Sequence, residues 1–373
     1  MKSNIMFLTI IFFASYFSLS NGADCPTADL TGDCKVDFTD FATMAGQWLD
    51  EGTYTLYVNS SNISGVNINS NTGNEGITNY RQNVTAGEDV NLTAPVSFND
   101  LHFTGWTGDI NSPNQSISFS MDADKEFTAN YELTTIVWVD INDSGVSGHE
   151  GFWGQMSKYE TTNAQYCDYL NSAIASGDIT VGGDYVIGAD GSNIGADFVN
   201  HVYFSLVGDG FTKDGAINGG AVRINYHNGI FDVDPGFENH PVTMVGWYGA
   251  TAFCNYYGYR LPTEWEWQAV ADYDGSFIYG CGTTINNSIA NHKGSIHPDG
   301  TTIVGIFGPY GYGICDMAGN VNEWTSSIAA NGDGRIVKGG SWYYIDEYCL
   351  DVSRTWVGYL SAEYYFTGFR VCR

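Results

Sequence analysis

Between His240 and Ala271 the chain reads HPVTMVGWYGATAFCNYYGYRLPTEWEWQAVA, and this stretch leaves the backbone few choices. Pro241-Val242 suits the end of a strand, and Gly249 to Tyr257 carries apolar residues at helical spacing. Arg260-Leu261-Pro262-Thr263 then turns the chain into a second helix. Thr263, with Glu266 three residues on, forms a capping box in which hydroxyl and carboxylate each accept an orphan N–H. Pro262 fixes the entry. Trp265 and Trp267 belong to the core on this reading, because large aromatics dominate buried area.

Similar local signals divide the rest of the chain. The run IVWVDI is strand-like and opens a C-terminal unit at 135–373. Met156 to Tyr166 (MSKYETTNAQY) carries a strand into a helix, with Thr162 or Asn163 as N-cap and helical apolar spacing from Ala164 to Ala173. Residues 176 to 235 are rich in Gly and Asp with little periodicity, which reads as long loops. Before this unit, 53–132 holds alternating runs such as YTLYV, DVNLTAP and EFTANYEL between Asn/Gly/Ser turns, an all-β module. The expected class is therefore α+β, with a loop-rich C-terminal domain behind a small β module.

The N-terminus bears on compartment. Lys2 precedes an apolar run from Ile5 to Phe17, and Ser20-Asn21-Gly22 offers small residues for cleavage, so 1–22 reads as a signal peptide. A membrane anchor is the alternative, although the run is short for a span. No later segment is long and apolar enough to span. The expected product is secreted, periplasmic or attached to the cell surface. With 42 acidic against 14 basic residues the formal charge is −28, which excludes nucleic acid as a natural partner and favours divalent cations. Eight cysteines follow the signal segment, and an even number in an oxidising compartment suggests disulfides without fixing their pairing. Only Cys25 and Cys34 are close enough in sequence to suggest a local pair.

Residues 24–50 hold a distinct pattern. In DLTGDCKVDFTD, oxygen-bearing side chains fall at Asp29, Thr31, Asp33, Asp37 and Asp40, with Lys35 where only a backbone carbonyl is needed. A hard cation needs six or more oxygens converging from one turn, and this spacing supplies them. The following FATMAGQWL has helical spacing and carries Asp40 in its first turn. Loop and helix resemble one half of a dockerin module, which implies calcium and a cohesin-like or cell-envelope partner. The usual glycine at loop position 6 is absent, Asp stands for the terminal Glu, and the second repeat of a dockerin is not found. In the β module, FTGWTGD followed by SISFSMDADKEFTANY resembles the bacterial surface repeat called InlB B-repeat-like, which implies a spacer or adhesion element.

The C-terminal unit closes with Asp316–Trp324 (DMAGNVNEW), then GGSW, then GFR ending at Arg370. Together with the 156–166 and 240–271 segments, this resembles the formylglycine-generating (sulfatase-modifying) enzyme family, whose fold is a variant of the C-type lectin fold. The resemblance implies a calcium site at Asp316, Gly319, Val321 and Glu323, where two carboxylates and two carbonyls around a tight turn suit a hard cation. Pairing of Glu323 with a buried Arg such as Arg370 is the alternative. A second implied calcium site falls on Asn291, His292, Asp299 and Thr301.

The family also implies a cysteine oxidase that holds copper(I) between two thiolates. Ser341, Tyr348 and Cys349 match its Ser, Tyr and second Cys, but the first Cys is Tyr344. Soft thiolates select a soft monovalent ion, and a phenol cannot replace one. Asn322 and Phe366 depart from the family's Trp and Asn at the same site. Copper is therefore not expected, and Cys349 is left as a free thiol or as a partner of Cys372 or another cysteine. Around it, Trp342, Tyr344, Trp356, Tyr359 and Tyr364 are interleaved with carboxylates. Rigid amphipathic rings of this kind suit binding to a glycan or a surface protein. The leading expectation is a non-catalytic, calcium-stabilised binding domain. The alternatives are an oxidoreductase acting on a cysteine of a target sulfatase, and a cell-surface scaffold.

Overall fold

A computed structural model describes residues 30–48, 52–61, 63–99, 101–132, 135–191, 198–207, 222–293, 300–330, 332, 334–350, 356–358 and 363–373. The segment 1–22, Cys25, Asp29, Asp299 and Tyr359 lie outside the described residues, and for Trp356 only the backbone is described. Helix α1, Phe38–Trp48, carries Asp40 in its first turn, as its spacing predicts. No helix among the described residues is long and apolar enough to cross a membrane.

The β module alternates as its sequence requires. In Thr53–Ser60, Leu56 and Val58 are buried while Tyr57 is exposed; in Lys125–Glu132, Phe127, Ala129 and Tyr131 face inward. Those two strands pair in parallel at the centre of a five-stranded sheet, flanked by Tyr80–Thr85 on one side and Leu101–Gly108 on the other. A second pair, Asp89–Thr93 with Ser116–Ser120, contributes Val90, Leu92 and Ile117 to the same core around Trp106.

In the C-terminal unit, Trp138–Asn142 pairs antiparallel with Trp153–Ser157 and leads into helix α2, Asn163–Ser176. Thr162 caps α2 with a complete capping box to Gln165, and Gly177 ends it in the left-handed conformation. Helix α3, Trp247–Tyr257, is followed by helix α4, Glu264–Ala271, which begins with the expected Thr263–Glu266 box. Gly249 lets α3 lie directly on the strand Val202–Ser205, since a Cβ there would fall 2.2 Å from the Tyr203 carbonyl oxygen. Trp267 is fully buried, but Trp265 is 39% exposed, so only one of the two tryptophans expected in the core is there.

The loops expected over 176–235 contain more order than that. Ile179–Gly182, Tyr185–Gly188 and Val202–Ser205 form a three-stranded sheet, and Ile224–His227 pairs with Ile230–Val233. Four-residue strands broken by Gly and Asp are too short to show a period of two, and their partners supply the order instead. The sheet that frames the site is four-stranded, in the order Trp356–Gly358, Arg335–Lys338, Asn322–Ile328, Thr367–Gly368. Its last pairing is parallel, Asn322 opposite Thr367 and Glu323 opposite Gly368. The C-terminal segment then runs inward: Thr161, Ser157 and Gln155 donate to the carbonyls of Phe369, Val371 and Arg373.

Candidate functional site

The turn DMAGNVNEW is held by a buried polar network. Asp316 and Asn320 both adopt positive φ, at 58° and 60°. The Asn320 side chain accepts from the Thr302 N–H at 2.8 Å and donates to Glu160 Oε2 at 2.6 Å, while Glu160 Oε1 accepts from the Val321 N–H at 3.2 Å. Gly319, φ +81°, approaches Asn291 so closely that a Cβ would meet its carbonyl oxygen at 2.3 Å. Glu323 faces Arg370: Nε donates to Oε2 at 2.6 Å and Nη2 to Oε1 at 2.7 Å, and Trp267 Nε1 adds a third bond to Oε2 at 2.7 Å. Arg370 also donates to the carbonyls of Ser157 and Cys315. Both charged side chains are fully buried, and the pair is bidentate and charge-assisted.

Three carboxylates, Glu160, Asp316 and Glu323, thus surround one guanidinium. Burial, then the neighbouring carboxylates, pushes Glu160 well above the usual range. Burial pushes Asp316 up to about 7, against the pull of the Gly305 N–H and Arg370. Asp316 Oδ2 accepts from that N–H at 2.6 Å, but Oδ1 is buried without a partner. Of the four residues expected to hold calcium, Asp316 offers an unused oxygen and Glu323 is committed to Arg370 and Trp267. Among the described residues no group of three or more His, Cys, Asp or Glu side chains is placed to hold a metal. Glu323 does pair with the buried Arg370.

Of the second expected set, Asn291, His292 and Thr301 are described and Asp299 lies outside the described residues. Asn291 is buried and donates to the Gly300 carbonyl at 3.1 Å, and Thr301 Oγ1 turns to His240 Nδ1 at 2.9 Å. Both ring nitrogens of His292 are buried without a partner. In the N-terminal loop, Asp40 accepts from the N–H groups of Leu30, Thr31 and Asp37, and Asp33 accepts from the Lys35 N–H. The Asp37 N–H, with the other donors, draws the Asp40 carboxyl down to about 2. Asp37 accepts from both the N–H and the hydroxyl of Thr39. These carboxylates serve as helix and turn caps here.

The step Gly339-Gly340-Ser341 leads to the thiol position. Gly340 has φ +73°, and a Cβ on it would lie 2.6 Å from Cys349 Sγ. Cys349 is fully buried, and burial followed by nearby Cys281 pushes its thiol up to about 12. Pairing with Cys372 is not found: Cys372 packs in a different cluster, near Trp267, and its Sγ donates to the Arg260 carbonyl at 3.5 Å. Cys34 is disulfide-bonded to a partner outside the described residues, whereas Cys167, Cys254, Cys281, Cys315, Cys349 and Cys372 are free thiols. Tyr344, the position that the resemblance gives to the first thiol, is half-buried, its ring 5.3 Å from Phe366 and 5.0 Å from Tyr348. Phe366 in turn stacks on Tyr343 at 5.5 Å and Tyr364 at 5.6 Å.

The strands and turn that carry these rings also hold buried polar atoms, several of them without a partner. Ser341 is buried and its Oγ accepts from the Tyr343 N–H at 3.4 Å. Asn322 Oδ1 and Nδ2, Trp342 Nε1 and Thr367 Oγ1 are buried without a partner. Asn322 and Thr367 are register neighbours, and the Asn322 N–H donates to the Phe366 carbonyl at 2.8 Å. Glu160, Asn320 and Cys281 were not singled out by the sequence. An acid two residues before a capping Thr, an Asn in a turn and a Cys between glycines carry no local signal.

A family model for the sulfatase-modifying factor enzyme 1-like domain matches residues 146–373, and one for the divergent InlB B-repeat domain matches 66–135. The chain belongs to the sulfatase-modifying factor enzyme family through its C-terminal domain. It is 33% identical over 172 residues to the serine/threonine-protein kinase pkn1 of Chlamydia pneumoniae, covering 40% of this chain and 27% of that one. It is 38% identical over 116 residues to the inactive C-alpha-formylglycine-generating enzyme 2 of Bos taurus, covering 27% and 38%. Among solved structures, Treponema denticola variable protein 1 aligns over 68% of this chain and 97% of its own with 16% identity and a TM-score of 0.42. The chain spans well under half the length of these two curated relatives.

Proposed function

We propose that this is an exported protein whose C-terminal domain binds a glycan or a surface protein without catalysing a reaction, the β module acting as spacer. The observation that carries this reading is Tyr344. At the position the resemblance gives to the first thiol it presents a ring packed between Phe366 and Tyr348, in the same segment as Trp342, whose indole N–H is buried without a partner. Unpaired buried polar groups cost free energy that a hydroxyl-bearing ligand would recover, while the rings offer stacking area. The bovine relative described as inactive agrees with a frame kept without its chemistry. We further propose that a calcium ion supports the domain at Asp316 with the Gly319 and Val321 carbonyls, offsetting the excess of carboxylates over Arg370.

The test uses the full chain with calcium present. Glycan-array and surface-protein screens should give a ligand whose affinity falls at least tenfold in Tyr344→Ala. In parallel, a cysteine-containing sulfatase-motif peptide with copper and oxygen should remain unconverted by mass spectrometry. Conversion of that peptide would replace this reading with an oxidoreductase, and empty screens would remove it.

A further inference from the structure

Cys349 has a sulfur neighbour that the missing first cysteine does not predict. Cys281 and Cys349 share one small buried cluster with Ala290 and Ala318. A backbone bridge pairs Tyr279 with Leu350, which lays the turn carrying Cys281 against the residue that follows Cys349. Both thiols are free in the structure, 8% and 0% exposed. The Cys281 Sγ has only a weak contact, 3.8 Å from the Thr284 carbonyl, so little is lost by redirecting it. Each sulfur lies near enough for the thiolate of Cys281 to oppose ionisation of Cys349.

We propose that Cys281 and Cys349 are a redox pair that closes to a disulfide and fastens the aromatic segment 342–348 to the turn at 279–282. The chemistry is ordinary exchange with an oxidised small-molecule disulfide such as oxidised glutathione. One thiolate attacks it, forming a mixed disulfide and releasing one glutathione thiolate. The second protein thiolate then attacks the protein-side sulfur of the mixed disulfide and expels the other. The two protons of the cysteines end on two reduced glutathione molecules. The oxidant enters beside the exposed residues Ile345 to Tyr348, which lead into Cys349 at the end of the short 3-10 turn Asp346–Cys349. The cross-link restricts the unfolded chain over the whole segment between the two cysteines, a long loop, which is where such a restraint acts most strongly.

The pair stands or falls independently of any ligand at the aromatic face. The full chain is incubated with oxidised glutathione, its remaining thiols are alkylated, and it is digested without reduction. Mass spectrometry should show the peptides of Cys281 and Cys349 joined and lighter by two hydrogens, with the unfolding midpoint about 5 °C above that of the reduced chain. Cys281→Ser should abolish both effects, and Cys167→Ser should leave both. Alkylation of Cys281 and Cys349 in the oxidised wild type, or a link from either to Cys315, would overturn the proposal. That readout needs no variant, so a Cys281→Ser chain that failed to fold would not obscure it.

Discussion

Arg370 shows how much one side chain settles. Four hydrogen bonds tie it to Glu323, the Ser157 carbonyl and the Cys315 carbonyl, joining three distant stretches of chain in the interior. Removing one partner of such a pair leaves an uncompensated buried charge, which costs about 3–5 kcal/mol. Arg370→Met should therefore lower stability by about that amount in urea unfolding, because Glu323 would lose its buried ion-pair partner. A loss under about 1 kcal/mol would mean that protons on Glu160 and Asp316 already balance the site. The sequence shows Glu323 and Arg370 as opposing charges in the DMAGNVNEW and GFR motifs, and that pairing was legible as an alternative. Glu160 was not, because its place beside Asn320 and Val321 is set by tertiary packing alone.

Elements were legible where their signals are local. The Thr263–Glu266 capping box stands as read, and of the two N-caps the sequence offered for α2 the structure uses Thr162, in a box with Gln165; each signal lies within four residues and answers to backbone N–H groups whose positions the helix itself dictates. The parallel pairing of Asn322 with Thr367 joins residues far apart in sequence and left no such trace. A further non-local fastening holds the hairpin Gly145–Val146 with His149–Glu150 against helix α4. His149 Nε2 pairs with Asp272, the C-cap of α4, and Nδ1 with the Glu150 carbonyl. Burial alone would lower the His149 pKa, but the Glu150 carbonyl, Asp272 and Asp143 together hold it above the ordinary value. Its protonated form therefore favours the folded state. That contribution is complete below about pH 6.5 and is lost as pH rises through the folded value. The unfolding midpoint of the wild type should fall between about pH 6 and pH 8 more steeply than that of His149→Asn. Equal slopes in the two proteins would show that the histidine is neutral in the fold.

At the scale of the whole molecule, two hydrophobic clusters share no residue. One surrounds Trp106 in the β module, and the other joins α2, α3 and the four-stranded sheet. A buried bond from Asn239 Nδ2 to the Tyr131 carbonyl, 2.9 Å long, links the two units. Trp106 is 1% exposed and anchors its core with an indole bond to the Gln115 carbonyl. Trp106→Ala should cost about 3–5 kcal/mol, and calorimetry should show an early transition for the β module ahead of the C-terminal unit. A single transition at a lower temperature would mean that the Asn239 contact couples the units into one cooperative body.

The threading of Phe369 to Arg373 along the strand Trp153–Ser157 has a consequence for biogenesis. The β module contains every strand of its own sheets and is complete once Glu132 has emerged from the ribosome. The domain behind it cannot close its first strand pair against solvent, or neutralise Glu323, until Arg370 has been synthesised. Throughout that interval its aromatic core stays open, so the nascent chain would depend on chaperones most when it is nearly finished.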